Sequence, residues 1–200
     1  FVKKLLTTLT AGFAALVLAA CSHMSAAATY GSSEITLKDV EASVNQVIAE
    51  RQGVDTSQMQ LTTGADLTRG QLQFLLTSAV IEEVAKVENI TVSASDVENY
   101  RASIVSQLGG EEKLKLVLVQ AAIASKDIEL VLRRDVIVQK LTDAIVATGV
   151  AQTDAASVVQ EAILSTAKKL KITVNPKYGT WNATTGMIED SNAAGDAVNP

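Results

Sequence analysis

The chain is 200 residues long, 48% hydrophobic but only 4% aromatic, and carries a formal charge of −5. That length fits one domain with a largely aliphatic core. The acidic balance argues against phosphate-backbone binding, which depends on clustered Lys and Arg; beyond the first residues the only adjacent basic pairs are Arg133-Arg134 and Lys168-Lys169. A single cysteine excludes an intramolecular disulfide, and a single histidine leaves the common metal and acid–base constellations without material. Neither a cofactor nor a nucleic-acid partner is expected.

Residues 1–20 begin with Lys3 and Lys4, continue through an apolar stretch from Leu5 to Ala20, and end in small residues before Cys21. A positive start, a short apolar run and small residues before a cut site are the parts of a secretory signal peptide. The run is shorter than the roughly 20 residues a transmembrane helix requires, and Thr7, Thr8, Thr10 and Gly12 interrupt it. Leu18-Ala19-Ala20-Cys21 resembles the lipobox of bacterial lipoproteins, which implies lipid attachment at the Cys21 sulfur. The mature protein would then be held at the extracytoplasmic face of the cell membrane without spanning it. Cleavage takes Lys3 and Lys4 away and moves the formal charge from −5 to −7. Ser22-His23-Met24 looks like a cloning remnant, so His23 is given no functional weight. Residues 21–28 read as the lipidated cysteine and a tether; fully extended, Ser22 to Ala28 would reach about 25 Å at roughly 3.5 Å per residue.

Thr29-Tyr30 and Glu34-Ile35 flank Gly31-Ser32-Ser33 and predict a short extended segment with a turn. Thr36-Leu37-Lys38-Asp39 is a capping box that opens a helix with Leu37, Val40, Val44, Val47 and Ile48 on one face, and Gly53 stops it. Residues 54–65 lack a period and read as a loop. From Asp66 or Thr68 to Val87, the recurrence of Leu72, Leu75, Leu76, Ala79, Val80, Val84 and Val87 predicts a long amphipathic helix. Glu82 and Glu83, adjacent on its polar face, point about 100° apart, so they are read as solvated charges and not as a paired acid–base or metal site.

After an extended Ile90-Thr91-Val92, a second capping box at Ser93-Ala94-Ser95-Asp96 opens a helix with Val97, Tyr100, Ile104 and Leu108 inward, ended by Gly109-Gly110. Glu111 to Ala122 forms the next helix. Ser125 is expected to cap a longer one through Ala147, with Gly149 as its stop, and a last helix spans about Asp154 to Leu170 with Lys168, Lys169 and Lys171 at its carboxyl end. Lys171 to Val174 alternates as a strand, Asn175-Pro176 turns the chain, and Tyr178 to Trp181 is extended. A strand within 29–35 is expected to pair with 172–174, closing the two ends of the domain and clustering Tyr30, Tyr178 and Trp181; Trp181 is read as a core residue in preference to the wall of a binding groove, the alternative for it and Tyr178. Residues 182–200 read as a flexible tail. The predicted fold is mainly α: five to six amphipathic helices completed by a short β-hairpin or sheet from the two ends of a domain spanning 29–181.

In order, Tyr30-Gly31 with Glu34-Ile35-Thr36, the Ile90-Thr91-Val92-Ser93 helix entry, Gly109-Gly110-Glu111-Glu112-Lys113-Leu114, and Asn175-Pro176-Lys177-Tyr178-Gly179-Thr180-Trp181 resemble the amino-terminal domain of SurA-type chaperones, related to PrsA and trigger factor. The resemblance covers about residues 28–181. It implies a helical domain that holds non-native polypeptides without ATP, here as an anchored lipoprotein with unfolded or partly folded secreted proteins as partners. Many members also carry a parvulin domain, whose site uses histidines, a Cys or Asp and apolar residues; that set is missing from this sequence, and isomerase activity is not expected. No nucleophile elbow, phosphate loop or metal spacing appears either, so an enzyme is not expected. The alternative reading is a scaffold lipoprotein that binds one folded partner or itself; Met59 and Met187 are the only methionines beyond the tether, and adaptable surfaces tend to be richer in Met and aromatic rings.

Overall fold

The computed structural model describes residues 25–191. The signal segment, Cys21 and the last nine residues lie outside the described part. Within it the chain is a helical bundle capped at one end by short antiparallel strands, as expected. β1 (Ala26–Tyr30) and β2 (Ser33–Thr36) form a hairpin, followed by α1 (Leu37–Arg51), α2 (Gly64–Val87), α3 (Ala94–Leu108), α4 (Glu111–Gln120), α5 (Ile128–Ala147) and α6 (Gln152–Lys169); β3 (Thr173–Val174), β4 (Thr180–Asn182) and β5 (Met187–Glu189) close the chain.

Both capping boxes form. The Asp39 N–H donates to the Thr36 hydroxyl at 3.1 Å while the Thr36 N–H donates to the Asp39 carboxylate at 2.9 Å. At α3 the reciprocal pair is Ser93 with Asp96, at 2.8 and 3.2 Å. Asp96 also accepts from Lys140 of α5 at 2.7 Å, so one carboxylate caps α3 and fastens it to α5. The Lys140 bond, reinforced by the two Ser93 donors, holds the Asp96 pKa down from 3.8 to about 2. Asp39 is also held below its ordinary value, by the Thr36 side chain first and its backbone N–H second.

Because the folded-state pKa of Asp96 lies below its unfolded value, its contribution is complete above about pH 4 and is lost as pH falls towards 2. Denaturant midpoints taken at pH 6 and pH 2.5 should therefore show Asp96→Asn less stable than the parent at pH 6, with a clearly smaller gap at pH 2.5. A gap of the same size at both pH values would contradict the assignment.

The pairing of the two domain ends forms as expected. β1 is the central strand of the order β2-β1-β3, with Ala28 opposite both Ile35 and Val174. The tether expected through Ala28 is overturned: Ala26, Ala27 and Ala28 are 5%, 0% and 1% exposed. Alanine carries no strand signal, but here a central strand is covered on both sides and only small side chains fit. The tail expected from residue 182 is corrected too, since β5 pairs with β4 and Ile188 is buried. The turn between them is built by Asn182, whose side-chain oxygen accepts from the Thr184 N–H at 2.8 Å and the Thr185 N–H at 3.2 Å.

The main core joins these strands to the helices: Ala27, Ala28, Ile35, Val40, Leu72, Leu76, Val174, Tyr178 and Ile188 are mutually packed, with Tyr30 and Trp181 against them. The three rings expected to gather there do so. α2 runs through the middle of the molecule and packs on α1, α5, α6 and the strands. A second cluster, Ile81, Ala85, Val92, Val136 and Ile137, carries the core to the other end.

Ile90-Thr91-Val92 leads into α3 outside any sheet, the Thr91 and Val92 carbonyls accepting from Lys140 and Arg133 side chains in place of a ladder. Other local expectations are corrected. Ser125 starts a single 3₁₀ turn, Ser125–Asp127, and its N–H and hydroxyl donate to the Glu50 carboxylate instead of capping α5. Ile48 and Val87, assigned to the apolar faces of α1 and α2, are 45% and 55% exposed. Each lies at the edge of a stripe whose centre is already covered.

Candidate functional site

Glu82 and Glu83 diverge to different partners, as adjacent helical residues must. Glu82 takes a two-pronged bond from Arg133, at 2.6 Å from Nε and 3.2 Å from Nη2, and Glu83 pairs with Lys86 at 2.6 Å. They are committed ion pairs and not freely solvated charges. The burial of Ser43, 0% exposed, is explained by its hydroxyl, which lies 2.8 Å from Gln71 Oε1 and 3.2 Å from Asp127 Oδ2, while Gln71 Nε2 donates to the Ala122 carbonyl. This closed polar tie joins α1, α2 and the segment before α5 away from solvent. Among the described residues no group of three or more His, Cys, Asp and Glu is placed to hold a metal ion. Cys21 and His23 lie outside the described residues.

The surface offers a groove instead. α6 presents Gln160, Ile163, Leu164 and Ala167 at steps of three, one and three, which puts them on one face. Facing them are Thr77, Val80 and Ile81 of α2, Arg134 of α5, and Trp181, Thr185, Gly186 and Met187 of the β4–β5 hairpin; together they enclose a cavity of about 290 Å³. Val80, Ile81 and Ala167 form a buried floor, Ile163, Leu164 and Trp181 are half-buried walls, and Met187 is an exposed rim. Trp181, expected in the core, does both things: it packs against the main core and also lines the groove.

Two side chains one helical turn apart on α2 hold the hairpin in place. Gln73 presents its amide to the edge of β5 as a neighbouring strand would, donating from Nε2 to the Gly186 carbonyl at 3.0 Å and accepting from the Ile188 N–H at 2.7 Å. Arg69 donates to the Tyr178 carbonyl at 3.1 Å and to Asp190 at 2.6 Å, and is itself braced by Asp66 at 2.9 Å. Such capping of an exposed strand edge leaves fewer free groups for unwanted pairing. Burial of Tyr178 raises its phenol pKa, with the Glu41 charge adding to the effect. At the hairpin turn Gly186 has φ +71, and Leu164 Cδ2 lies 3.0 Å from where a Cβ would stand, so the missing side chain lets α6 approach.

Compared with protein-family models, with curated proteins and with solved structures, the chain gives no significant match in any of the three. The site must therefore be read from its own chemistry. A cavity of this size sits at the lower end of the roughly 300–1,000 Å³ typical of small-molecule pockets. Its walls are mostly aliphatic, with Thr77, Thr185, Gln160 and Arg134 as the polar groups. It lacks the cluster of converging donors that a phosphate or cofactor would demand, and suits an apolar side chain presented by a larger ligand.

A second cavity of about 290 Å³ continues along the same face of α2, lined by Asp66, Leu67, Gly70, Gln71 and Phe74, by residues 121–123 beyond α4, and again by Arg134. Sequence reasoning found most of these residues as members of amphipathic helices but not the groove itself. The groove depends on Trp181 and Met187 being brought over α6 by the hairpin, and most of that hairpin, from Asn182 on, reads as tail in the sequence.

Proposed function

We propose that this protein is a membrane-anchored, extracytoplasmic binder of non-native polypeptide segments that works without ATP or a cofactor. The observation that carries the reading is the apolar groove between α2, α6 and the β4–β5 hairpin, which is open to solvent and holds the chain's one tryptophan, Trp181, at its wall. Each apolar side chain seated there would contribute about 1.5–3 kcal/mol if fully buried, enough for weak, sequence-tolerant capture and little more. Supporting this are the lipobox-like run ending in Cys21 and the order of motifs that resembles SurA-type chaperones. Among the described residues no helix is long and apolar enough to cross a membrane, and the anchor proposed is the lipid on Cys21.

The test is aggregation. At stoichiometric concentration the protein should slow light scattering by several unrelated unfolded proteins, and Leu164→Glu, which puts a charge in the groove wall, should lose most of that effect while keeping a native circular dichroism spectrum. Full activity in Leu164→Glu, or no protection of any client by the parent, would contradict the reading. Selective binding to one folded partner, in place of such protection, would point to the scaffold alternative.

A further inference from the structure

Arg134 stands at the junction of the two cavities described above and lines both. The α2 residues beneath them, Asp66, Gly70, Phe74, Thr77 and Ile81, follow one another at steps of four, four, three and four, so they lie on a single helical face. At 1.5 Å per residue that face runs roughly 22 Å, the span of an extended chain of about six or seven residues at roughly 3.3 Å each.

The charge at the junction is specific. An arginine has five N–H donors, and Arg134 spends one from Nε and one from Nη2 on the single oxygen Asp135 Oδ1, at 3.1 and 3.0 Å. Asp135 fixes the plane of the guanidinium, and Nη1 has no hydrogen-bond partner among the described residues. The side chain is 27% exposed. No carboxylate lines the cavity that holds Trp181; in the neighbouring one the lone carboxylate, Asp66, is already engaged by Arg69.

Resting on the reading of the groove as a polypeptide site, we infer that the two cavities form one continuous track for an extended segment of six or seven residues. The track selects segments in which an aspartate or glutamate lies between apolar side chains. The apolar side chains fill the cavities on either side, and the carboxylate between them accepts from Arg134 Nη1. This preference runs against the overall charge of −5, whose long-range field favours basic segments, so the two effects can be told apart. The field is screened within about 8–10 Å at physiological salt, whereas the close, partly buried contact at Arg134 is screened much less.

The experiment uses the full chain and three blocked, labelled heptapeptides that differ only at the central position, which is aspartate, asparagine or lysine flanked by leucines. Binding is followed by anisotropy and by Trp181 emission at 0.15 M salt. The aspartate peptide should bind about fivefold more tightly than the asparagine peptide, the scale of a partly exposed ion pair, and the lysine peptide most weakly. Arg134→Gln should abolish the aspartate preference, so that the aspartate and asparagine peptides bind alike, and Arg134→Lys should retain part of it. Equal binding of all three peptides, or tightest binding of the lysine peptide, with Trp181 responding throughout, would overturn the charge selection and leave the groove reading standing. Absence of a Trp181 response to any peptide would overturn both.

Discussion

Gly179→Ala is expected to unseat the β4–β5 hairpin. Gly179 has φ +129, and a Cβ built there would stand 2.1 Å from the Glu189 carbonyl oxygen and 3.1 Å from its carbon. Both contacts are with backbone, so no side-chain rotation relieves them. The affected strand is the one paired through Thr180 opposite Glu189 and Trp181 opposite Ile188. Backbone strain at a left-handed position costs about 1–3 kcal/mol, and displacement of β5 adds the loss of buried Ile188 and of the Gln73 and Arg69 clips. A total of about 3–4 kcal/mol is expected. Exchange of amide hydrogens should accelerate across residues 180–189 while α2 and α5 stay protected, and Trp181 emission should move to the red. Unchanged exchange and emission would show that the hairpin is not held as described.

Leu76→Ala should be among the most damaging truncations in the core. Leu76 is 0% exposed and packs in the cluster that joins β1, β2, α1, α2 and the closing strands. Leu-to-Ala changes at buried sites cost about 2–5 kcal/mol, and the cost rises where the surroundings cannot collapse into the space. Here the cluster is drawn from helices and strands that are tied to one another and cannot all move inward, so the upper half of that range applies. In a protein stabilised by about 5–15 kcal/mol that is a large share, visible as a shift in the urea midpoint with little change in slope. Val117→Ala, at a position 43% exposed on α4, should alter stability by no more than about 0.5 kcal/mol. Similar losses at the two positions would refute the packing described.

Much of this architecture was legible because its signals are local. The capping boxes at Thr36 and Ser93 satisfy orphan N–H groups within three residues, so the pattern and the hydrogen bonds coincide. Gly109 and Gly110, with φ of +87 and +121, break the chain between α3 and α4 where the dipeptide predicts it. Even the long-range pairing of β1 with β3 could be foreseen, because Ile172-Thr173-Val174 alternates in a chain otherwise helical. What could not be read had no local cause. Ala26–Ala28 is a strand only because β2 and β3 flank it. The edge of β5 is closed by the Gln73 amide, 115 residues away from Ile188. Arg133 is half-buried because Glu82 and the Val92 carbonyl converge on it from other elements. The groove is the sum of such distant placements: α2, α5 and α6 each supply part of a wall, and the hairpin supplies the rest.

The most direct test of the account is the emission of Trp181, the chain's one tryptophan, as an unfolded polypeptide lacking tryptophan is added to the intact protein. Seating an apolar side chain beside a half-exposed indole removes water from it, so the account predicts a saturable blue shift that Leu164→Glu abolishes. An emission maximum that stays fixed while the added chain demonstrably binds would place the binding surface elsewhere and contradict the claim that this groove is the functional site.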